Sequence, residues 1–168
     1  SLQVFTDKKR IAESVPTETV MLYSGTSWKV VQTNPDTNTE TSCPAIEATN
    51  FGITPAQIDN FSYSAAKPIW LTEEAPVTTA VFETEFVIDT DYREGKIELV
   101  APESAKIMVN GTPVEGSYEF DYDTDPFMVY PVTITLGKDL VKQGKNTLRF
   151  EVTNNSAYRG FLAAITIV

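Results

Sequence analysis

Carboxylates stand at every second position in Asp121-Tyr122-Asp123-Thr124-Asp125. Hard oxygens so spaced can join a calcium shell of about six to eight ligands, which makes Asp121, Asp123 and Asp125 the candidate metal-binding residues. The glycine and closing glutamate of an EF-hand loop are absent, and solvent-facing loop charge is the competing reading. A different chemistry is offered by Asn155, Tyr158 and Arg159, within Asn154-Asn155-Ser156-Ala157-Tyr158-Arg159. There an aromatic ring adjoins a forked guanidinium donor, a pairing able to stack on and hydrogen-bond a polyhydroxylated ligand. A solvated turn whose tyrosine caps an edge is the alternative. Asp91-Tyr92-Arg93 repeats the pairing at Tyr92 and Arg93. Trp28 and Trp70 could also serve as stacking platforms, but both adjoin strand-like residues and are read as core.

What is missing excludes more. The 168 residues contain no histidine, so Ser-His-Asp or Cys-His catalysis and His-ligated metal sites are ruled out. Cys43 stands alone and can form neither an internal disulfide nor a thiolate cluster. With 13 Lys+Arg against 23 Asp+Glu the net charge is −10, a poor field for nucleic acid. Acid pairs of the glycosidase kind need a defined separation in a cleft, which sequence cannot place, so no catalysis is expected and no catalytic residue is assigned. No apolar run approaches the ~20 residues that span a bilayer, so no membrane insertion is expected. Neither a signal-like h-region nor a compartment can be read from the start of the chain. The triplets Asn60-Phe61-Ser62, Asn110-Gly111-Thr112 and Asn154-Asn155-Ser156 match glycosylation acceptors but arise readily by chance.

The elements that must position these residues are strands. In Ala80 to Ile88, the residues Ala80, Phe82, Phe86 and Ile88 share one face, opposite Glu83 and Glu85. From Asn146 to Thr153, Leu148, Phe150 and Val152 alternate with Thr147, Arg149, Glu151 and Thr153. Val132, Ile134 and Leu136 alternate with threonines, and Ile97 and Leu99 flank Glu98. Glu83, Glu85, Glu98 and Glu151 are therefore expected on outward faces, where charge keeps sheets soluble. Phe161 to Val168 is apolar on both faces and reads as a strand covered on two sides. Leu2 to Phe5, Thr19 to Tyr23 and Ser27 to Gln32 are earlier strand candidates. Thr54-Pro55 starts a short helical turn, and Gly137 to Val141 is a second. Residues 33–50, polar throughout Thr33 to Ser42, are expected to form an exposed loop. Many short strands at about 8–12-residue spacing with almost no helix predict one all-β sandwich or barrel over residues 1–168, with 1–26 as an N-terminal arm or extra strand.

The second half is more specific. Ile107-Met108-Val109-Asn110-Gly111-Thr112 is an Asn-Gly hairpin. It is followed by Leu140-Val141-Lys142-Gln143-Gly144-Lys145-Asn146-Thr147-Leu148 and then Gly160-Phe161-Leu162-Ala163. With Ile69-Trp70 and Phe82-x-x-x-Phe86 upstream, this ordered set resembles the galactose-binding-domain-like jelly roll of carbohydrate-binding modules and glycosidase accessory domains, over roughly residues 65 to 168. The resemblance implies an antiparallel jelly-roll β-sandwich with one or two helical turns. It also implies a carbohydrate or glycan partner held by loops at one end of the sandwich, where Tyr158, Arg159, Asn155, Tyr92 and Arg93 are the candidates. No cofactor is required, although a structural calcium is common in the family. Secretion, or display on a cell or virion surface, follows as an expectation, within a larger parent protein or alone. A self-associating structural subunit is the alternative, with Leu2 to Phe5 as a docking arm.

Overall fold

Leu148, Phe150 and Val152 lie at the centre of the molecule, fully buried on the strand with the clearest alternation. The computed structural model describes residues 20–58, 61, 65–71, 78–89, 94–114, 118–119, 122–124, 127–154 and 158–167. Chain order is β1 (Val20–Tyr23), β2 (Lys29–Thr33), β3 (Glu40–Pro44), β4 (Ile46–Glu47), a 3-10 turn (Pro55–Gln57), β5 (Ile69–Trp70), β6 (Thr79–Ile88), β7 (Gly95–Val100) and β8 (Ser104–Val109). Then come β9 (Thr112–Pro113), β10 (Tyr118–Glu119), β11 (Tyr122–Thr124), β12 (Phe127–Val129), β13 (Val132–Leu136), β14 (Gly144–Thr153) and β15 (Leu162–Ile167).

Two larger antiparallel sheets result, in addition to the two-stranded pairs β4-β5 and β11-β12. One has the order β1-β15-β7-β13; the other runs β10-β8-β14-β6-β2-β3, with β9 paired to β8. From β6 onward the long strands β6, β7, β8, β13, β14 and β15 fall alternately in the two sheets, so each connection crosses the sandwich. This is the expected antiparallel jelly-roll β-sandwich. Register places Phe150 opposite Phe82 on one side and Ile107 on the other, aligning the apolar faces of three strands. Trp28 stacks on Phe150 at 5.4 Å between ring centroids, and Phe161 meets Trp28, Phe82 and Phe150 at 6.0, 4.8 and 5.6 Å. Trp28 and Trp70 are both 2% exposed, so the core reading holds for each.

The four-stranded sheet is covered outside as well. Phe51, Val100, Val129 and Leu162 form a second apolar cluster with Ile53, Ile58, Phe61 and Ala66. The chain between β4 and β5 supplies most of this cover, and β15 is accordingly buried on both faces. Two expectations need correction here. Glu98 faces outward by register but is only 5% exposed, and it pairs with Lys96 at 3.1 Å. Residues 33–50 are not simply a loop. Glu40–Pro44 pairs with β2 as an edge strand and Ile46–Glu47 pairs with β5, while Ala45 is buried. Strand β3 is exposed along its whole length, so it carries no apolar alternation to read. Thr19 to Tyr23 appears as β1, paired to β15 of the same chain; Leu2 to Phe5 lies outside the described residues. The two expected turns are present at Pro55–Gln57, where the Thr54 N–H donates to Gln57 Oε1 at 2.8 Å, and at 137–140.

The Asn-Gly hairpin and the Gly-x-Asn segment join through side chains. Asn110 and Gly111 take φ of 51° and 80°, the left-handed pair of a two-residue hairpin turn. Asn146, fully buried, accepts from the Lys142 N–H at 2.8 Å and from Asn110 Nδ2 at 2.9 Å. Its own Nδ2 donates to the carbonyls of Lys142 and Gly144 at 2.8 and 3.1 Å. Asn110 Oδ1 in turn accepts from the Thr147 N–H at 2.9 Å. Asn146→Ala strands several of these buried groups, each worth about 1–3 kcal/mol. We expect a loss of about 3 kcal/mol, lowering Tm by about 6–12 °C in a domain of this size. A calorimetric change below about 2 °C would contradict the role given to Asn146.

On the outward face Arg149 binds three strands together. Its Nε donates to Glu83 on β6 at 2.7 Å, and its two Nη atoms donate to the two oxygens of Glu40 on β3 at 2.9 and 2.7 Å. The bonds from Arg149, and next its charge, hold the Glu40 carboxyl below its ordinary value of 4.5. The same bonds, to Glu40 first and Glu83 second, raise Arg149. A carboxyl lowered by folding adds stability above its unfolded value and loses it as pH falls through the folded one. From about pH 4.5 downward, Glu40→Gln should therefore show a shallower fall in Tm than the parent. Parallel acid limbs in the two Tm–pH curves would remove Glu40 from the acid sensitivity.

Candidate functional site

At one end of the sandwich three stretches of backbone are stitched together. Ile69 and Phe161 exchange backbone hydrogen bonds at 3.1 and 3.2 Å, the Ala48 N–H donates to Pro68 O at 2.8 Å, and the Arg159 N–H donates to Asn50 O at 2.9 Å. Asn154, buried at the base of the 154–160 connection, donates from its N–H to Thr78 O at 2.7 Å and from Nδ2 to Gly160 O at 3.2 Å. The connection before the last strand is thus held at its base and along its return.

Two glycines allow the close approach. Gly160 takes φ of 129°, and a Cβ there would sit 2.9 Å from Ala48 Cβ and 3.0 Å from Phe51 Cδ1. Gly52 takes φ of 80° and lies directly under the ring of Tyr158, where a Cβ would collide with the Cδ1 and Cε1 atoms. Tyr158 is half exposed and its ring rests on this glycine. Beside it Arg159 is partly buried, with Nη1 donating to Tyr158 O at 3.0 Å; among the described residues no carboxylate pairs with it.

Arg159 also closes a cavity of about 100 Å³. Ile46, Ala48 and Leu71 supply apolar wall, Thr49 and Asn50 supply polar wall, and Trp70 completes it. Trp70 Nε1 is buried with no acceptor among the described residues, and Asn154 Oδ1 is buried with no donor. An indole N–H can only donate, and in Trp70 this donor is enclosed by protein.

Of the residues singled out in the sequence, Tyr158 and Arg159 are brought together here. Asn155, Tyr92, Arg93, Asp121 and Asp125 lie outside the described residues. Asp123 lies on β11, its backbone position opposite Met128. Among the described residues no group of three or more acids or cysteines is placed to hold a metal. Asn50, Thr49, Gly52 and the Trp70 N–H were not anticipated. Gly52, following Asn50-Phe51 in a stretch without period, was the one local hint. Two of the acceptor-type asparagines are engaged, Asn110 in the hairpin network and Asn154 in the loop base.

Two wider grooves lie elsewhere. One of about 490 Å³ runs beside β1 along Met21, Tyr23 and Glu83 to Glu85, and one of about 790 Å³ runs along Val30 to Asp36. In the first, Glu83 and Glu85 already pair with Arg149 and Lys145. The smaller cavity adjoins Arg159, which among the described residues has no carboxylate partner.

Fold and site together define an antiparallel β-sandwich with a small cavity at its loop end. No protein-family model matches the chain, and no curated protein matches it. Similar solved structures include a family 35 carbohydrate-binding module from Paenibacillus barcinonensis, 12% identical, with TM-score 0.45 over 89% of this chain and 98% of that one. They also include a β-glucuronidase from Ruminococcus gnavus, 16% identical, with TM-score 0.48 over 92% of this chain and 30% of that one. A GH2 β-galacturonidase from Eisenbergiella tayi is 18% identical, with TM-score 0.44 over 88% and 24%. This chain spans less than a third of either glycosidase.

Gly52→Ala forces a side chain into the left-handed region, at about 1–2 kcal/mol, and displaces Tyr158. We expect Tm to fall by about 2–8 °C and the Tyr158 ring resonances to shift. Gly25→Ala, with no atom within 4 Å of its new Cβ, should change neither. Equal behaviour of the two variants would mean that Gly52 does not position Tyr158.

Proposed function

We propose that this chain is a non-catalytic carbohydrate-recognition domain that binds its ligand at the loop end formed by residues 46–52, Trp70 and 158–160. The observation that carries the reading is the Tyr158 ring, half exposed and seated on Gly52, beside the Arg159 guanidinium at the mouth of a cavity. A flat ring held from below presents its other face to the C–H face of a pyranose, and the adjacent fork donates to hydroxyl oxygens. Display on an extracellular or particle surface is part of this proposal, and several copies side by side would raise a modest affinity by multivalency.

Screening the purified domain on a glycan array should give a saturable signal, and Tyr158→Ala and Arg159→Ala should each weaken it about tenfold or more. Both side chains are solvent-accessible, so Tm should move little. Absence of any glycan signal, with light scattering showing rings or filaments, would replace this reading with that of a self-associating subunit. Undiminished binding by both variants would move the site elsewhere.

A further inference from the structure

We propose that the bound glycan is an extended, uncharged chain, of which one unit sits at Tyr158 and Arg159 and the next units lie in the groove along residues 30–36. The ligand class is thus a stretch of neutral polysaccharide and not an isolated sugar. The proposal rests on the carbohydrate-binding reading of the loop end. Size, continuity and lining point to it.

The cavity beside Arg159 is about 100 Å³, well below the roughly 300–1,000 Å³ of sites that enclose a small ligand. It has room for an edge of one sugar only. The groove, at about 790 Å³, falls within that range. It is a separate space, but Leu71 lines both, so the two meet within the breadth of one side chain. The groove lies where two strands part. β2 and β6 are paired from Lys29 opposite Glu83 to Val31 opposite Val81, while β2 stays with β3 as far as Thr33. That parting is at the loop end of the sandwich. Thr79, in the groove wall, stands opposite Thr153 on β14. The next residue, Asn154, donates from its N–H to Thr78 O at 2.7 Å, at the base of the connection that carries Tyr158 and Arg159. The lining suits a sugar chain. Val31, Val81 and Leu71 give apolar surface for C–H faces, while exposed Thr33, Thr41 and Thr79 bring hydroxyls that both donate and accept. Asp36 is the one ionisable side chain in this lining among the described residues. Its charge, like the net charge of −10, disfavours a polyanion. The parted stretch, residues 32–33 against 79–80, leaves too little free edge for an added peptide strand, which runs to roughly 3–10 residues.

Chain length is the direct readout. The full chain is titrated with oligosaccharides of one to six units of β-1,3- and β-1,4-linked glucose, β-1,4-linked xylose and β-1,4-linked mannose, and with hexagalacturonate as the acidic chain. Calorimetry follows the longer ligands and NMR titration the monosaccharides. In at least one neutral series affinity should rise by about tenfold or more between the monosaccharide and the tetrasaccharide, then level off. Repetition of the unit alone accounts for about fourfold over that span. Thr33→Ala combined with Thr41→Ala, both exposed positions, should leave Tm in place and cut tetrasaccharide affinity about tenfold with the monosaccharide unaffected, whereas Tyr158→Ala should weaken both. Affinity that does not grow with chain length, a double variant that binds the tetrasaccharide like the parent or loses both ligands alike, tightest binding of hexagalacturonate, or an array signal with none of the neutral series bound would each overturn the extended-chain assignment while leaving carbohydrate recognition intact. Failure of every glycan, on the array as well, would remove the broader reading and this inference together.

Discussion

The packing of Phe161 is the constraint on which the molecule turns. Its ring is fully buried against Trp28, Phe82 and Phe150, which belong to the β2, β6 and β14 side of the sandwich, while its backbone leads into β15 of the opposite sheet. Aromatic pairs of this kind add about 0.5–1.5 kcal/mol beyond area burial, and three converge on one residue. The same residue exchanges backbone hydrogen bonds with Ile69, which brings Trp70 and β5 to the loop end. Gly160, Arg159 and Tyr158 precede it directly. The loop end is therefore positioned by the core itself, through one residue that belongs to both.

Polar groups take over where the apolar pattern stops. Asn146 occupies an inward position of β14 at the end of a row that continues through Leu148, Phe150 and Val152. It is tolerated there because both side-chain atoms are doubly bonded, and an unsatisfied amide in that place would be costly. Arg149 does comparable work outside, holding Glu40 of the otherwise exposed edge strand β3 to the sheet. The acid excess thus has two parts. Some of it, such as Glu40 and Glu83, is tied to Arg149, and some, such as Glu98, is buried and paired with Lys96.

Much of the fold was legible in the order of residues because strand alternation is local. Residues two apart share a face whatever surrounds them, so β6, β13 and β14 could be placed from Phe82, Ile134 and Phe150 alone, and the Asn-Gly turn needed only its own two residues. Strand β3 was not legible, because an edge strand exposed on both faces has no alternation to show. The burial of Glu98 was not legible either, since an outward strand position carries no local sign of what will cover it.

The candidate site divides along the same line. Tyr158 and Arg159 stand out by residue type, a ring beside a fork of donors in a loop, and no neighbour is needed to see that. The cavity they border is assembled from Ile46 to Asn50, Trp70 and Arg159, more than a hundred positions apart from first to last. By itself the sequence determined the class of fold, the absence of imidazole chemistry and the pairing of a ring with a guanidinium at Tyr158 and Arg159. Only the tertiary structure decided that Trp70 is at once a core residue and part of a cavity wall, because burial and contact with a cavity are properties of packing, not of order along the chain.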